Sequence, residues 1–404
     1  MTLLAVIADD LTGAGDAGGA FATAGLRTVI LFGNERSEDA DVIVRSTDSR
    51  GLDTTDAAEV NRRAVRGLRC PPPRQPPRWV YKKIDSALRG HPCEELLAVM
   101  RELGERRALV APALPAQGRT TAGSRQLVDG IPLDQTPFGV PASGADLISV
   151  FGCERQVAIQ PITLATVRHG TGHVAHAIEG LEEGILVADA ETDRDLMTIA
   201  GAALDNGIRV MAGSAGLARQ LATTLPAPVS ARRAATPDCR TGPILVVAGS
   251  RHPSAAAQVA ALVEAGVPLV HPSQEMLDGT APVDTTVAAL APHLFESRFV
   301  ALTTTGLAAS PKGPEFVVRQ LAAIVAALAE RHLVGGLVLT GGDVAAGVLA
   351  RLKATEIMLG GEVQAAIPWG ILRSRLLPEV PIVTKAGSFG DRGTILRCLK
   401  HLER

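Results

Sequence analysis

Two adjacent carboxylates, Asp9 and Asp10, follow an apolar run, Leu3–Ala8, and precede the glycine-rich stretch Gly13-Ala14-Gly15. The run reads as a strand and the Ala/Gly-rich stretch to about Ala24 as a helix. Ligands of open α/β sheets bind just beyond the carboxyl ends of strands, which is where these aspartates stand. A carboxylate there can hold a substrate hydroxyl or take its proton. The glycines let backbone N–H groups approach an anion, and the helix N-terminus favours negative charge. The plainer alternative is that Asp9 and Asp10 only cap the helix.

A second cluster, Lys82-Lys83-Ile84-Asp85 with Arg89, follows the strand-like run Trp79–Lys82. Strand alternation sends Lys82 and Lys83 to opposite faces, so one can meet a carboxylate or phosphate while the other is solvated. Arg89 can grip a carboxylate with two prongs. A third polar stretch, Arg45-Ser46-Thr47-Asp48-Ser49-Arg50, follows another strand and offers Arg50 to an acid. Each of these can also be a charged surface turn.

Three glycine-bearing strand ends occupy the second half: Gly249-Ser250, Gly341-Gly342-Asp343 and Gly387-Ser388. Each precedes a stretch that reads as a helix, a layout that offers backbone N–H groups to phosphate. Neither G-x-x-x-x-G-K-[ST] nor a convincing dinucleotide fingerprint is present, so nucleotide binding rests on a less familiar arrangement.

The elements that must position these residues alternate between strand and helix. The reading is α/β: two α/β domains with largely parallel sheets and an active site in the interdomain cleft. The length of 404 residues exceeds one ordinary core. The expected boundaries are 1–225, a Pro/Ala/Arg-rich linker at 226–243, and 244–404. Residues 118–144 show weak periodicity and read as a long, partly irregular segment of the kind that lines sites. Aromatics make up 3% of the chain, so the cores must be built from Ala, Val, Leu and Ile.

A net charge of -2 and few aromatics argue against nucleic acid. The five cysteines include no C-x-x-C pair, and a disulfide framework is not expected. The N-terminus lacks a signal-peptide pattern, and no run is long enough to span a membrane. A cytoplasmic enzyme, possible as a homodimer, is the expectation. His169, His173 and His176 lack a nearby acidic ligand motif for zinc. Ser214 lacks the G-x-S-x-G of a nucleophile turn.

At these residues the chain resembles the four-carbon acid sugar kinase family over nearly its whole length. The marks include Ala8-Asp9-Asp10-Leu11-Thr12-Gly13, Lys82-Lys83-Ile84-Asp85-Ser86, Gly118-Arg119-Thr120-Thr121, Thr340-Gly341-Gly342-Asp343 and Lys385-Ala386-Gly387-Ser388-Phe389-Gly390. The likeness implies an N-terminal domain for the sugar acid and a C-terminal domain for ATP. It implies phosphorylation of the 4-hydroxyl of threonate, erythronate or 3-oxo-tetronate. It makes Asp9, Asp10, Arg50, Lys82, Lys83, Asp85 and Arg89 candidates for the substrate, with Asp10 or Asp85 as the base. Ser250, Gly341, Gly342, Asp343 and Gly387 become candidates for ATP, with Asp343 reaching Mg²⁺. Ala87, Ala255, Val344 and Ala386 stand where the family often carries a hydroxyl. The rival readings are a sugar-acid sensor without transfer and an NAD-linked sugar-acid oxidoreductase.

Overall fold

Uninterrupted runs such as Leu4–Ala8 and Ile244–Ala248 are buried at every position, which suits parallel strands covered on both faces. The computed structural model describes residues 2–33, 35, 37, 39–68, 76–138, 144–225 and 242–403. Most of the expected linker, Cys70, Cys239 and residues 139–143 lie outside the described residues. The chain divides into two units, Met1–Ile30 with Arg36–Arg232, and Leu31–Glu35 with Arg233–Arg404.

In the first unit the strands are β1 (Leu4–Ala8), β2 (Thr28–Leu31), β3 (Val42–Ser46), β4 (Trp79–Lys83), β5 (Arg107–Ala111), β6 (Arg119–Ala122), β7 (Arg125–Val128), β8 (Ile131–Pro132), β9 (Ile159–Ile162), β10 (Gly184–Ala188) and β11 (Val210–Gly213). The main sheet runs β2-β3-β1-β4-β11-β5-β10-β9, and its pairs are parallel. From β1 the chain crosses to the edge as β2, steps back beside β1 as β3, then passes to the other side of β1 as β4. That reversal makes a crevice at the carboxyl ends of β1 and β4. Ala8 pairs with both Ser46 and Lys83, so three strands end at one level.

In the second unit the strands are β12 (Ile244–Ala248), β13 (Leu269–Val270), β14 (Phe299–Thr303), β15 (Gly336–Thr340), β16 (Ala354–Gln364), β17 (Ile367–Ser374) and β18 (Val380–Lys385). Their order is β13-β14-β12-β15-β18-β17-β16. The first five are parallel, and β17 runs antiparallel to both β18 and β16. The same reversal occurs between β12 and β15. Ala248 pairs with Thr340 and Thr340 with Lys385, so the central strands again end level. Ile244, Val246, Ala301, Val338 and Val383 pack in one core under the last helix, Thr394–Leu402.

Two local expectations are corrected. Residues 119–132 are not merely irregular: they form the antiparallel sheet β6-β7-β8, tied to the end of β10 by Thr121 and Ala190. Cys93 and Cys153 form a disulfide, with Cα atoms 6.3 Å apart. The spacing rules concern local motifs and say nothing of a pair separated by 60 residues that the fold brings together. Among the described residues no helix is long and apolar enough to cross a membrane, and no three His, Cys, Asp or Glu side chains gather as metal ligands.

Candidate functional sites

Asp9 and Asp10 leave β1 at the crevice, and Arg50 arrives from the loop after β3. Arg50 Nε donates to Asp9 Oδ2 at 2.8 Å, and its Nη1 lies 2.8 Å from Asp10 Oδ2. Asp10 also caps the helix Leu11–Thr23, accepting from Gly13 N–H at 2.7 Å. The capping alternative is therefore correct for Asp10, yet its second oxygen still faces the charged cluster. A Cβ on Gly13 would stand 2.7 Å from Asp10 Oδ1 and 3.1 Å from Lys83 Nζ, so glycine keeps this gap open.

Burial pushes the Asp10 carboxyl above the ordinary aspartate value of 3.8, and the neighbouring Asp9 charge adds to this against Arg50 and Lys83. Burial opposes the Arg50 charge, but Asp9 and Asp10 outweigh it and hold the guanidinium cationic. Asp9 Oδ1 is buried with no hydrogen-bond partner. An orphaned buried acceptor of that kind suits a hydroxyl donor from a ligand.

Alternation along β4 separates the two lysines as expected, but neither is solvated. Lys82 is fully buried, and its ammonium lies 2.7 Å from Glu95, which is 1% exposed. Glu95 also accepts from Ser49 Oγ at 2.7 Å. A lysine so engaged has no charge to spare for a substrate; it pins the helix Pro92–Leu103 beneath the site. Lys83 faces Asp10 instead, donates to the Ile84 carbonyl at 2.8 Å and makes no ion pair among the described residues.

Arg89 binds Asp85 through two bonds, Nε to Oδ2 at 2.6 Å and Nη2 to Oδ1 at 3.0 Å. Burial pushes Asp85 up, but the Arg89 bonds and the charges of Arg50, Arg89 and Lys83 prevail and hold it well below the usual carboxylate range. So stabilised an anion is a weak base. Of the two candidates, Asp10 is the one whose proton affinity is raised.

Arg119, from β6, reaches the same cluster and donates to Ser86 Oγ at 2.6 Å and to Gln117 Oε1 at 3.1 Å. Neither Arg119 nor Glu95 stood among the sequence-derived site residues. Arg119 lies in the aperiodic stretch, and Glu95 looks like an ordinary acidic residue of a first helical turn.

In the second unit Ser250, Gly341, Gly342, Asp343 and Gly387 line one cavity of about 560 Å³. The level ends of β12, β15 and β18 bring their turns together there. Gly341 has φ +103°, open to glycine at little cost, and donates its N–H to the Lys385 carbonyl at 2.9 Å. A Cβ on Gly387 would clash with Ser250 Oγ and lie 2.6 Å from Ser250 Cβ. Leu277, Leu307, Pro314, Val317 and Val344 supply an apolar wall. Glycine turns at helix starts opposite an apolar wall suit phosphates and a base. Gly387→Ala is expected to raise the Kd for ATP about tenfold or more while leaving sugar-acid binding unchanged, read by calorimetry with each ligand.

Lys385 is buried behind this cradle. It donates to Thr340 Oγ1 at 2.9 Å and to the Ala386 carbonyl at 2.7 Å, linking two of the turns. Burial lowers its pKa from 10.5 to about 8, with a small opposing influence from Cys398. Below pH 8 the folded state bears the full cost of the charge. Between 8 and 9 the unfolded chain binds more protons, so stability rises with pH. Above 9 the Cys398 thiol, pushed up to about 12 by burial, contributes in the opposite direction. Lys385→Met is expected to remove the rise in melting temperature between pH 8 and 9; an unchanged rise would place its origin elsewhere.

The comparisons with known proteins follow the same division. The family model of a sugar-binding N-terminal domain matches residues 4–221, and that of a nucleotide-binding C-terminal domain matches residues 245–395. The chain is 32% identical to the D-threonate kinase of Salmonella typhimurium, covering 98% of each chain. It is 30% identical to the 3-oxo-tetronate kinase of Methylobacterium radiotolerans, again covering 98% of each. A Haemophilus influenzae protein of known crystal structure shares the fold, with a TM-score of 0.77 at 22% identity over 99% of this chain and 100% of that one.

Proposed function

The chain belongs to the four-carbon acid sugar kinase family and is an ATP-dependent sugar-acid kinase; we propose that it phosphorylates the 4-hydroxyl of a four-carbon acid such as threonate, erythronate or 3-oxo-tetronate. The observation that carries this reading is the meeting of Asp9, Asp10, Arg50 and Lys83 at the crevice of the sugar-binding unit.

Phosphoryl transfer asks mainly for positioning and charge neutralisation. Asp10 takes the proton of the attacking hydroxyl. Arg50 holds Asp9 and Asp10 in place, and Asp9 Oδ1 accepts from a substrate hydroxyl. Asp85, fixed by Arg89, keeps the cationic side of the site in register. Ser250, Gly341, Gly342 and Gly387 hold the phosphates of ATP. Mg²⁺, bound by Asp343 and phosphate oxygens, would neutralise the triphosphate. A single carboxylate suits Mg²⁺, which keeps several waters and takes its other ligands from phosphate.

The test is ADP release over a set of four-carbon sugar acids, with Mg²⁺ present and absent. Turnover of at least one acid, dependent on Mg²⁺, is expected. No turnover with any of them would end this reading.

A further inference from the structure

Two cations of the sugar-acid site lack an ion-pair partner among the described residues. Arg50 is engaged by Asp9 and Asp10, and Arg89 by Asp85. Lys83 and Arg119 make no ion pair among the described residues. Neither has a carboxylate at ion-pair distance, although Asp85 and Asp129 act on Arg119 from farther away, so each can receive a further negative charge. A sugar monocarboxylate carries one.

Of the two unpaired cations, Arg119 has the geometry to read a carboxylate. Its Nη1 is occupied by Ser86 and Gln117, both neutral partners. Its Nε is buried with no hydrogen-bond partner. A guanidinium presents its donors as a planar fork, so the unpaired Nε and the adjacent second Nη, which makes no hydrogen bond among the described residues, are the pair of donors that a carboxylate would engage. The surroundings hold that fork still. Gln126 Nε2 donates to the Ser86 carbonyl at 2.9 Å, and Asp189 accepts from the Gly123 and Ser124 N–H groups at 2.9 and 2.8 Å. The Phe138 ring lies 5.2 Å from the guanidinium carbon and shields one face. Burial lowers the Arg119 pKa, with Arg89 adding to this and Asp85 and Asp129 opposing; a desolvated cation gains most from an anion.

We propose that Arg119 takes the carboxylate of the substrate and is the residue that distinguishes a sugar acid from a neutral sugar alcohol. This rests on the kinase reading above and assigns the carboxylate to the β6-β7-β8 sheet rather than to Arg50 or Lys82. Substrate held there presents its hydroxyls, not its acid, to Asp9 and Asp10.

The experiment compares wild type, Arg119→Met and Arg119→Lys on D-erythronate and D-threonate and on the neutral alditols erythritol and threitol. Arg119→Met should raise the KM for the acids about 10- to 100-fold, with kcat and the KM for ATP much less changed. Turnover of the alditols should be unaffected, so the preference for acids collapses. Arg119→Lys keeps the charge without the fork and should recover part of the loss. Calorimetric titration of each acid without ATP separates this inference from the kinase reading. Acid that binds wild type and not Arg119→Met supports the assignment even where no ADP is released. A variant that keeps its preference for acids, or loses acids and alditols alike, would overturn it.

Discussion

Asp10→Asn is expected to lower kcat by about 10²- to 10⁴-fold, the usual contribution of a positioned base. The variant separates two duties of one side chain. The amide oxygen of Asn can still accept from Gly13 N–H, and Asn caps helices about as well as Asp, so the fold should be retained. Only the negative charge and the proton acceptor are lost. Asp10→Ala removes the cap as well and should cost about 0.5–2 kcal/mol of stability besides. A base acts only when deprotonated, so wild-type kcat/KM should fall as pH drops through the Asp10 pKa. That fall should lie above the ordinary aspartate value of 3.8, because burial raises the group. In Asp10→Asn the same limb should vanish, while ATP affinity stays near wild type. Full activity in Asp10→Asn would remove Asp10 from the chemistry.

Lys82→Met should destabilise the first unit by about 3–5 kcal/mol, because it strands Glu95 as an unpaired charge in the interior. For a unit of this size the melting temperature should fall by roughly 6–20 °C. The double variant Lys82→Met with Glu95→Leu should recover most of the loss, since an apolar pair of similar volume is often as stable as a buried ion pair. Recovery by the double variant and not by either single one is the outcome that assigns Lys82 to structure. A single variant that folds as wild type but no longer binds sugar acid would instead return Lys82 to the substrate.

The sequence was informative wherever chemistry depends on position along a strand. Asp9 and Asp10, and the glycines at 341, 342 and 387, could be read because sites in parallel sheets gather at strand ends. The strands themselves were legible as continuous apolar runs: the expected Leu3–Ala8 and Trp79–Lys82 are observed as Leu4–Ala8 and Trp79–Lys83. Alternation told Lys82 from Lys83 by face, but not which face was the site. That depends on Glu95, which a separate helix delivers. Arg119 was quoted within a family mark but given no role in the site, because β6-β7-β8 consists of strands only two to four residues long, too short for a periodic signal. The Cys93–Cys153 pair was hidden for a related reason: proximity in space was not encoded in local spacing. Arg50 lay within the readable set, but its pairing with Asp9 and Asp10 was not, since those acids meet it only through the fold.

The level endings of β12, β15 and β18 make the second unit's sheet behave as a ruler for its turns. Adding or deleting one residue within β15 would displace Gly341 by about 3.3 Å and turn alternate side chains to the opposite face. Such an indel could leave the buried layers largely apolar and the unit folded, yet separate Gly341 from Ser250. Natural length variation in this unit should therefore fall in the connections at the amino ends of the strands, and a scan of single-residue insertions would map the ruler directly.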